Sequence, residues 1–349
     1  MTGTTTSKID TKRTQMADIA RLAGVSTATV SRALNGSVLI KQETRERIQE
    51  LARSLNYAIN FSAKNLRSGD NRTIGVVIPY DINTRQHISD PFFLGMLGSL
   101  ADALTDQGYD LLLSRVDAQH LDEVAKLYET GRVKGIILIG QWRHHDQLNE
   151  LAMRRIPLVV WGAQLPGQMY CSVGSDNRMG GQMATEHLIQ KGCKRIAFFG
   201  DVNLPEVAQR YEGYVLAHHH AKLPLEEALR VATPFASDLA QKMMIEFLDQ
   251  TILFDAVFAA SDLLAISIMG LLAARGLDVP RDYCVVGYDD VDAASHCHPP
   301  LTTIRQSVDV AGTQMVDCLE QLIAGGRPES RVLKIALTER QSTRQRKFR

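Results

Sequence analysis

Between residues 14 and 57 the apolar positions recur at helical spacing three times over: Ile19, Leu22 and Ala23, then Val30, Ala33 and Leu34, then Ile48, Leu51, Ala52 and Leu55. Three short helices in succession are predicted. Gly24-Val25-Ser26 parts the first from the second, because Gly can take a left-handed turn and the Ser26 hydroxyl can cap the helix that follows. That is the spacing of a helix-turn-helix. Asn35-Gly36-Ser37 closes the second helix, and residues 41–55 form a third with a strongly charged outer face.

From Arg72 onward the apolar residues come in short continuous runs of strand length, at 74–78, 111–116, 135–139, 158–161, 196–199, 256–260 and 284–288. Buried parallel strands read this way. Amphipathic stretches of helical length alternate with them, for example 94–107, 179–191, 237–251 and 263–275, which gives a βαβ series and a doubly wound α/β body. Residues 58–72, ending in a Ser-Gly-Asp-Asn turn cluster, form the one plausible linker, and there is no internal repeat.

A chain of 349 residues has room for about two domains of ~150 residues and a small module. With 45% apolar and 22% charged residues it can bury a core, and no apolar run reaches the ~18 residues of a membrane span. The first fifteen residues are polar and lack the apolar stretch of a secretory signal, so the chain is expected to stay in the cytoplasm without a membrane partner. Five cysteines with no C-x-x-C pair fit free thiols in a reducing compartment. The formal net charge is zero, yet residues 1–72 carry 12 basic against 6 acidic side chains, 73–339 carry 22 against 33, and 340–349 carry 5 against none. A basic head on an acidic body suggests that the head meets a polyanion while the body does something else.

Doubly wound sheets often carry enzymes, but the chain has no G-x-G, G-K-[ST], G-x-S-x-G or H-E-x-x-H signature. His218-His219-His220 and His296-Cys297-His298 lack a spaced set of partner ligands, so solvated or packing roles are expected and no metal or cofactor is. Asp289-Asp290 at a strand end could be acid/base chemistry or a polar anchor. The anchor is favoured. Asp262 reads as a helix cap.

The stretch MADIARLAGVSTATVSRALNGS, followed by ETRERIQELARSLNY, resembles the DNA-binding domain of the lactose-repressor/galactose-repressor (LacI/GalR) family almost position for position. IGVVIP, SDPFF, SDNRMGG, HLIQKGCKRIAFFG, RYEGY, FAASDLLAISIMGLL, VVGYDD and PPLTTIRQ carry the resemblance on to Thr343. It implies an N-terminal all-α helix-turn-helix domain joined by a hinge to a two-lobed α/β effector core similar to periplasmic binding proteins. The expected divisions are a flexible extension at 1–13, the helix-turn-helix at 14–58, the hinge at 59–72, the core at 73–343 and a basic tail at 344–349. Within the core, one lobe would take about 73–173 and 304–333, the other about 174–303 and 334–343.

By this resemblance Thr27, Ala28 and Arg32 choose the operator sequence, and elementary chemistry agrees: Arg bridges guanine O6 and N7, while Thr and Ala methyls suit thymine. A solvated Ala28 and a phosphate-clamping Arg32 are the alternatives. Ser26, Thr29, Ser31 and Asn35 resemble the family's phosphate contacts. In the hinge, Ala63, Lys64 and Leu66 match its minor-groove segment, with Leu66 as a wedge, or else packed on the body. Two departures stand out: Ile59 where the family usually has Pro, and Gly162 where many sugar-responding members carry Asp. Ligands of open α/β sheets bind at strand C-termini. Phe92, Phe93, Trp161, Arg210, Ser261 and Asp289 fall there, with Phe235 on a loop; Arg210, Phe235 and Asp289 are also family matches. Phe93 and Trp161 could equally be core. Aromatic plates with a few charged groups suit a mono- or oligosaccharide.

The expected function is therefore a sequence-specific DNA-binding transcriptional regulator, a repressor of carbohydrate-utilisation genes. It would bind a palindromic operator as a homodimer and be released by a sugar-like inducer. A purine-type corepressor, or a sugar receptor without a DNA role, are the competing readings. Gln341 onward is polar and too short for a heptad tail, which favours a dimer over a tetramer.

Overall fold

The computed structural model describes residues 15–34, 37, 39–55, 71–81, 87–235 and 238–344. The chain forms two compact units that divide at Asp70 and Asn71. In the first, α1 (Met16–Ala23), α2 (Thr27–Leu34) and α3 (Gln42–Ser54) enclose their own core of Ile19, Val30, Ala33, Ile48 and Ala52. Gly24 ends α1 with φ 67°, the left-handed value the turn requires, and the Ser26 hydroxyl accepts from Thr29 N at 3.2 Å to cap α2. Arg47 on α3 donates to Ala23 O at 2.8 Å, which satisfies a carbonyl at the end of α1.

The second unit opens with β1 (Thr73–Tyr80), α4 (Pro91–Asp106), β2 (Asp110–Asp117), α5 (Glu123–Glu129), β3 (Gly135–Ile139), α6 (His145–Met153), β4 (Leu158–Trp161) and β5 (Cys171–Ser175). It continues with α7 (Asn177–Gln190), β6 (Ile196–Phe199), α8 (Pro205–His220), β7 (Arg230–Val231), α9 (Asp238–Leu248), β8 (Ala256–Ala259), α10 (Asp262–Ala274) and β9 (Cys284–Asp289). Then come α11 (Asp292–His296), β10 (Thr302–Gln306), α12 (Val308–Ile323), β11 (Arg331–Leu333) and β12 (Ile335–Thr338). Two six-stranded sheets result, in the orders β11-β5-β4-β3-β1-β2 and β12-β10-β9-β8-β6-β7, parallel except for β12 against β10. Each defines a lobe, and the chain passes between lobes three times across single residues: Asp176, Ser307 and Lys334.

The third crossing falls at the expected 333–334, and the first two fall a few residues later than the expected 173 and 303. The reason is that β5 (CSVGS) and β10 (TTIRQ) are polar in sequence yet buried in sheets. Burial of the β10 threonines is tolerable because each hydroxyl has a partner: Thr303 donates to Asp262 at 2.6 Å, and Thr302 pairs with Thr343 at 3.0 Å. The segment after Arg340 runs into the second lobe. Ser342 and Thr343 are buried, with Ser342 Oγ accepting from Thr302 N and donating to Val285 O.

Candidate functional site

Ser26, Thr27, Ala28 and Arg32 are exposed, Thr29 and Ser31 half-buried, and Arg32 stands four residues beyond Ala28 on the same side of α2. The hydroxyls of Ser26 and Thr29 lie 2.9 Å apart and orient one another. Asn35, Ile59, Ala63, Lys64 and Leu66 lie outside the described residues.

Between the two lobes lies a cleft with about 640 Å³ of empty space, part of it open to solvent. Phe92, Phe93, Trp161, Arg210, Phe235, Ser261 and Asp289 all line it. So do Asp90, Trp142, Glu206 and Gln306, which the sequence reading missed. Phe92 and Phe93 arrive on the first turn of α4, whose N-cap Asp90 accepts from Phe92 N at 3.0 Å, and the Phe92 ring centroid stands 6.1 Å from that of Trp161. Phe93 and Trp161 also belong to the first-lobe core, so the two readings of them coexist.

The second lobe supplies the charge. Arg210, buried on α8, donates through Nε to Asn177 at 2.9 Å and through Nη1 to Ala260 O at 2.5 Å, while its guanidinium lies 3.7 Å over the Tyr288 ring. Asp289 accepts from Gln306 at 2.7 Å and has a left-handed backbone, φ 119°, as does Asp290 at φ 59°. Such strain collects at functional turns. Burial pushes the Asp289 carboxyl well above the ordinary carboxylate range against the pull of Arg210. Burial raises Glu206 too, although backbone N–H groups and Arg210 oppose it. The cap of α10 is Ser261, which accepts from Leu264 N, and not Asp262 as read from the sequence. Asp262 instead holds Val291 N and Thr303 together inside the lobe, and burial pushes its carboxyl up to about 7.

Gly162 has a steric cause. A Cβ there would sit 2.5 Å from the side chain of Gln141, which fills the space and bonds to Ala163 and Tyr170. Across the cleft mouth the lobes are tied by an Arg143–Asp201 ion pair and by Gln209 donating to Gln164 O at 3.0 Å. Among the described residues no His, Cys, Asp and Glu group could hold a metal ion, and no helix is long and apolar enough to cross a membrane.

A family model described as bacterial regulatory proteins, lacI family, matches residues 15–60, and one described as a periplasmic binding protein-like domain matches 185–343. The chain is similar to the HTH-type transcriptional regulator CelR of Thermobifida fusca, at 32% identity over 95% of this chain and 98% of that protein. It is also similar to the HTH-type transcriptional repressor PurR of Haemophilus influenzae, at 31% identity over 88% and 90%. A solved transcriptional regulator CelR–cellobiose complex superposes with a TM-score of 0.70, at 30% identity, over 95% of this chain and all of that one.

Proposed function

The chain belongs to the LacI family of DNA-binding transcriptional regulators, and from that premise we propose that it is a repressor released from a palindromic operator by a saccharide held in the interlobe cleft. One observation carries this reading: aromatic plates from the first lobe face a buried arginine and carboxylates from the second across a single cavity. Sugar rings stack their CH faces on aromatics and offer paired hydroxyls to Asp and Arg. Two copies would bind together, because one helix-turn-helix makes too few base contacts for operator-grade affinity. Thr27, Ala28 and Arg32 would read bases, with Ser26, Thr29, Ser31 and Asn35 on phosphates and Leu66 wedged in the minor groove. β1 follows the hinge directly in sequence, so a change in lobe closure reaches the hinge through the first lobe. The effector must prefer the released state by a few kcal/mol, because equal affinity shifts nothing.

Operator anisotropy, repeated with a panel of saccharides and purines, tests the reading. Release by a saccharide is expected, and tightening by a purine would favour the corepressor reading instead. Asp289→Ala is expected to keep operator binding near normal and to abolish the saccharide response. If that variant still releases DNA at unchanged saccharide concentrations, Asp289 is not a ligand contact.

A further inference from the structure

Two cavities meet at Trp142. Trp142 lines the cleft and also a second pocket, partly open to solvent, which Asp81, Gln119, Arg143 and His144 help to bound. The backbone at Trp142 is left-handed, φ 51°, two residues after Gly140 at φ 100°. A bulky residue holds that conformation only where its surroundings dictate it. Here they do. Gln141 on one side is fully buried, accepts from Ala163 N at 2.9 Å and donates to Ala163 O and Tyr170; Arg143 on the other is paired with Asp201 of the opposite lobe. The indole packs against the second-lobe cluster that contains Phe198, Leu204 and Val207, yet it stays half-exposed. A side chain anchored at both neighbours and bordered by open space twice is a partition rather than core filling.

We infer that Trp142 determines how long a ligand the cleft accepts. Its indole ends the inner cavity, and a saccharide of more than one or two rings reaches the outer pocket only past that wall. The outer pocket suits such an extension, since Gln119, His144 and Asp81 carry hydrogen-bonding groups for hydroxyls and the indole offers a face on which a further ring can stack. The inference rests on the cleft being the effector site.

The chain has only two tryptophans, Trp142 and Trp161, and both line the cleft, so intrinsic fluorescence reads this site. In Trp142→Ala and Trp142→Phe, Trp161 remains as the single reporter. The full chain and both variants are titrated with D-glucose, cellobiose and cellotriose, and in parallel with maltose and maltotriose. In the linkage series that binds, the ratio of trisaccharide to glucose affinity is expected to rise at least tenfold in Trp142→Ala and to stay within threefold of wild type in Trp142→Phe, which keeps a plate. A ratio changed less than twofold in Trp142→Ala, with saccharide still bound, overturns the inference and leaves the effector reading intact. Trp142→Leu, which keeps apolar bulk against the second lobe without a plate, is read by the same criterion if the Ala variant does not fold. If no saccharide alters the fluorescence or melting temperature of the wild type, the effector reading fails, and the role of Trp142 with it.

Discussion

Glu206 and Asp289 are held where burial disfavours their charged forms, and this gives the cleft a pH dependence with a definite sign. A carboxyl whose pKa is higher in the folded chain than in the unfolded one, where it lies near ~4, binds more protons when folded, so stability falls as pH rises from there through the raised value. Hydroxyls that donate to these carboxylates favour ionisation and offset the loss. The melting-temperature increment from a bound saccharide is therefore expected to grow with pH across that window, and to do so less in a Glu206→Gln/Asp289→Asn protein. Thermal melts with and without the saccharide check this, and an increment independent of pH would sink it. Arg210 plays a different part, because its donors to Asn177 and Ala260 and its stacking on Tyr288 already fix it. It meets a ligand preorganised, with little side-chain entropy left to lose.

The helices that carry these groups are set by glycines. A Cβ on Gly181 would lie 1.9 Å from Arg210 O, and one on Gly213 would lie 2.0 Å from Arg178 O, so α7 and α8 cross backbone against backbone. Gly213→Ala must push α8 outward and take Glu206 and Arg210 with it. The expected result is a loss of about 3 kcal/mol or more by denaturant unfolding, together with weaker saccharide binding. Retention of both would show that the helices can part freely. In the sequence SDNRMGG and RYEGY stood out only as family matches, and what each glycine touches was not legible, because a close approach depends on both helices at once. The same limit explains the rest. Apolar runs located seven strands, whereas β5 and β10 escaped because their burial depends on hydroxyl partners far along the chain, such as Asp262 and Thr343. The strand-end rule and the family match placed seven cleft residues, while Trp142 reaches the cleft through a left-handed backbone that no periodicity encodes. Asp90 and Glu206 did leave a signal. Each adjoins a proline at the first position of a helix, which marks them as first-turn groups at the end of the sheet that faces ligands.

At the scale of the molecule, a basic head precedes an acidic body, and only the head should respond strongly to salt. Two heads engaging one operator would release condensed counterions on the order of five to ten, which makes the affinity fall steeply in a plot of log K against log salt. A slope near zero would reject DNA binding through the basic head. Saccharide affinity, governed by a neutral ligand in a part-buried cleft, is expected to change little over the same range. The three crossings at Asp176, Ser307 and Lys334 have a consequence for how the protein is made. Because β11 and β12 complete one sheet each, neither lobe can close until residues 331–338 have left the ribosome, whereas the last helix of the head ends at Ser54. At roughly 5–20 residues per second, each nascent chain spends some tens of seconds with its reader finished and its sensor unfinished. A message truncated anywhere in that interval encodes a reader that no effector can address.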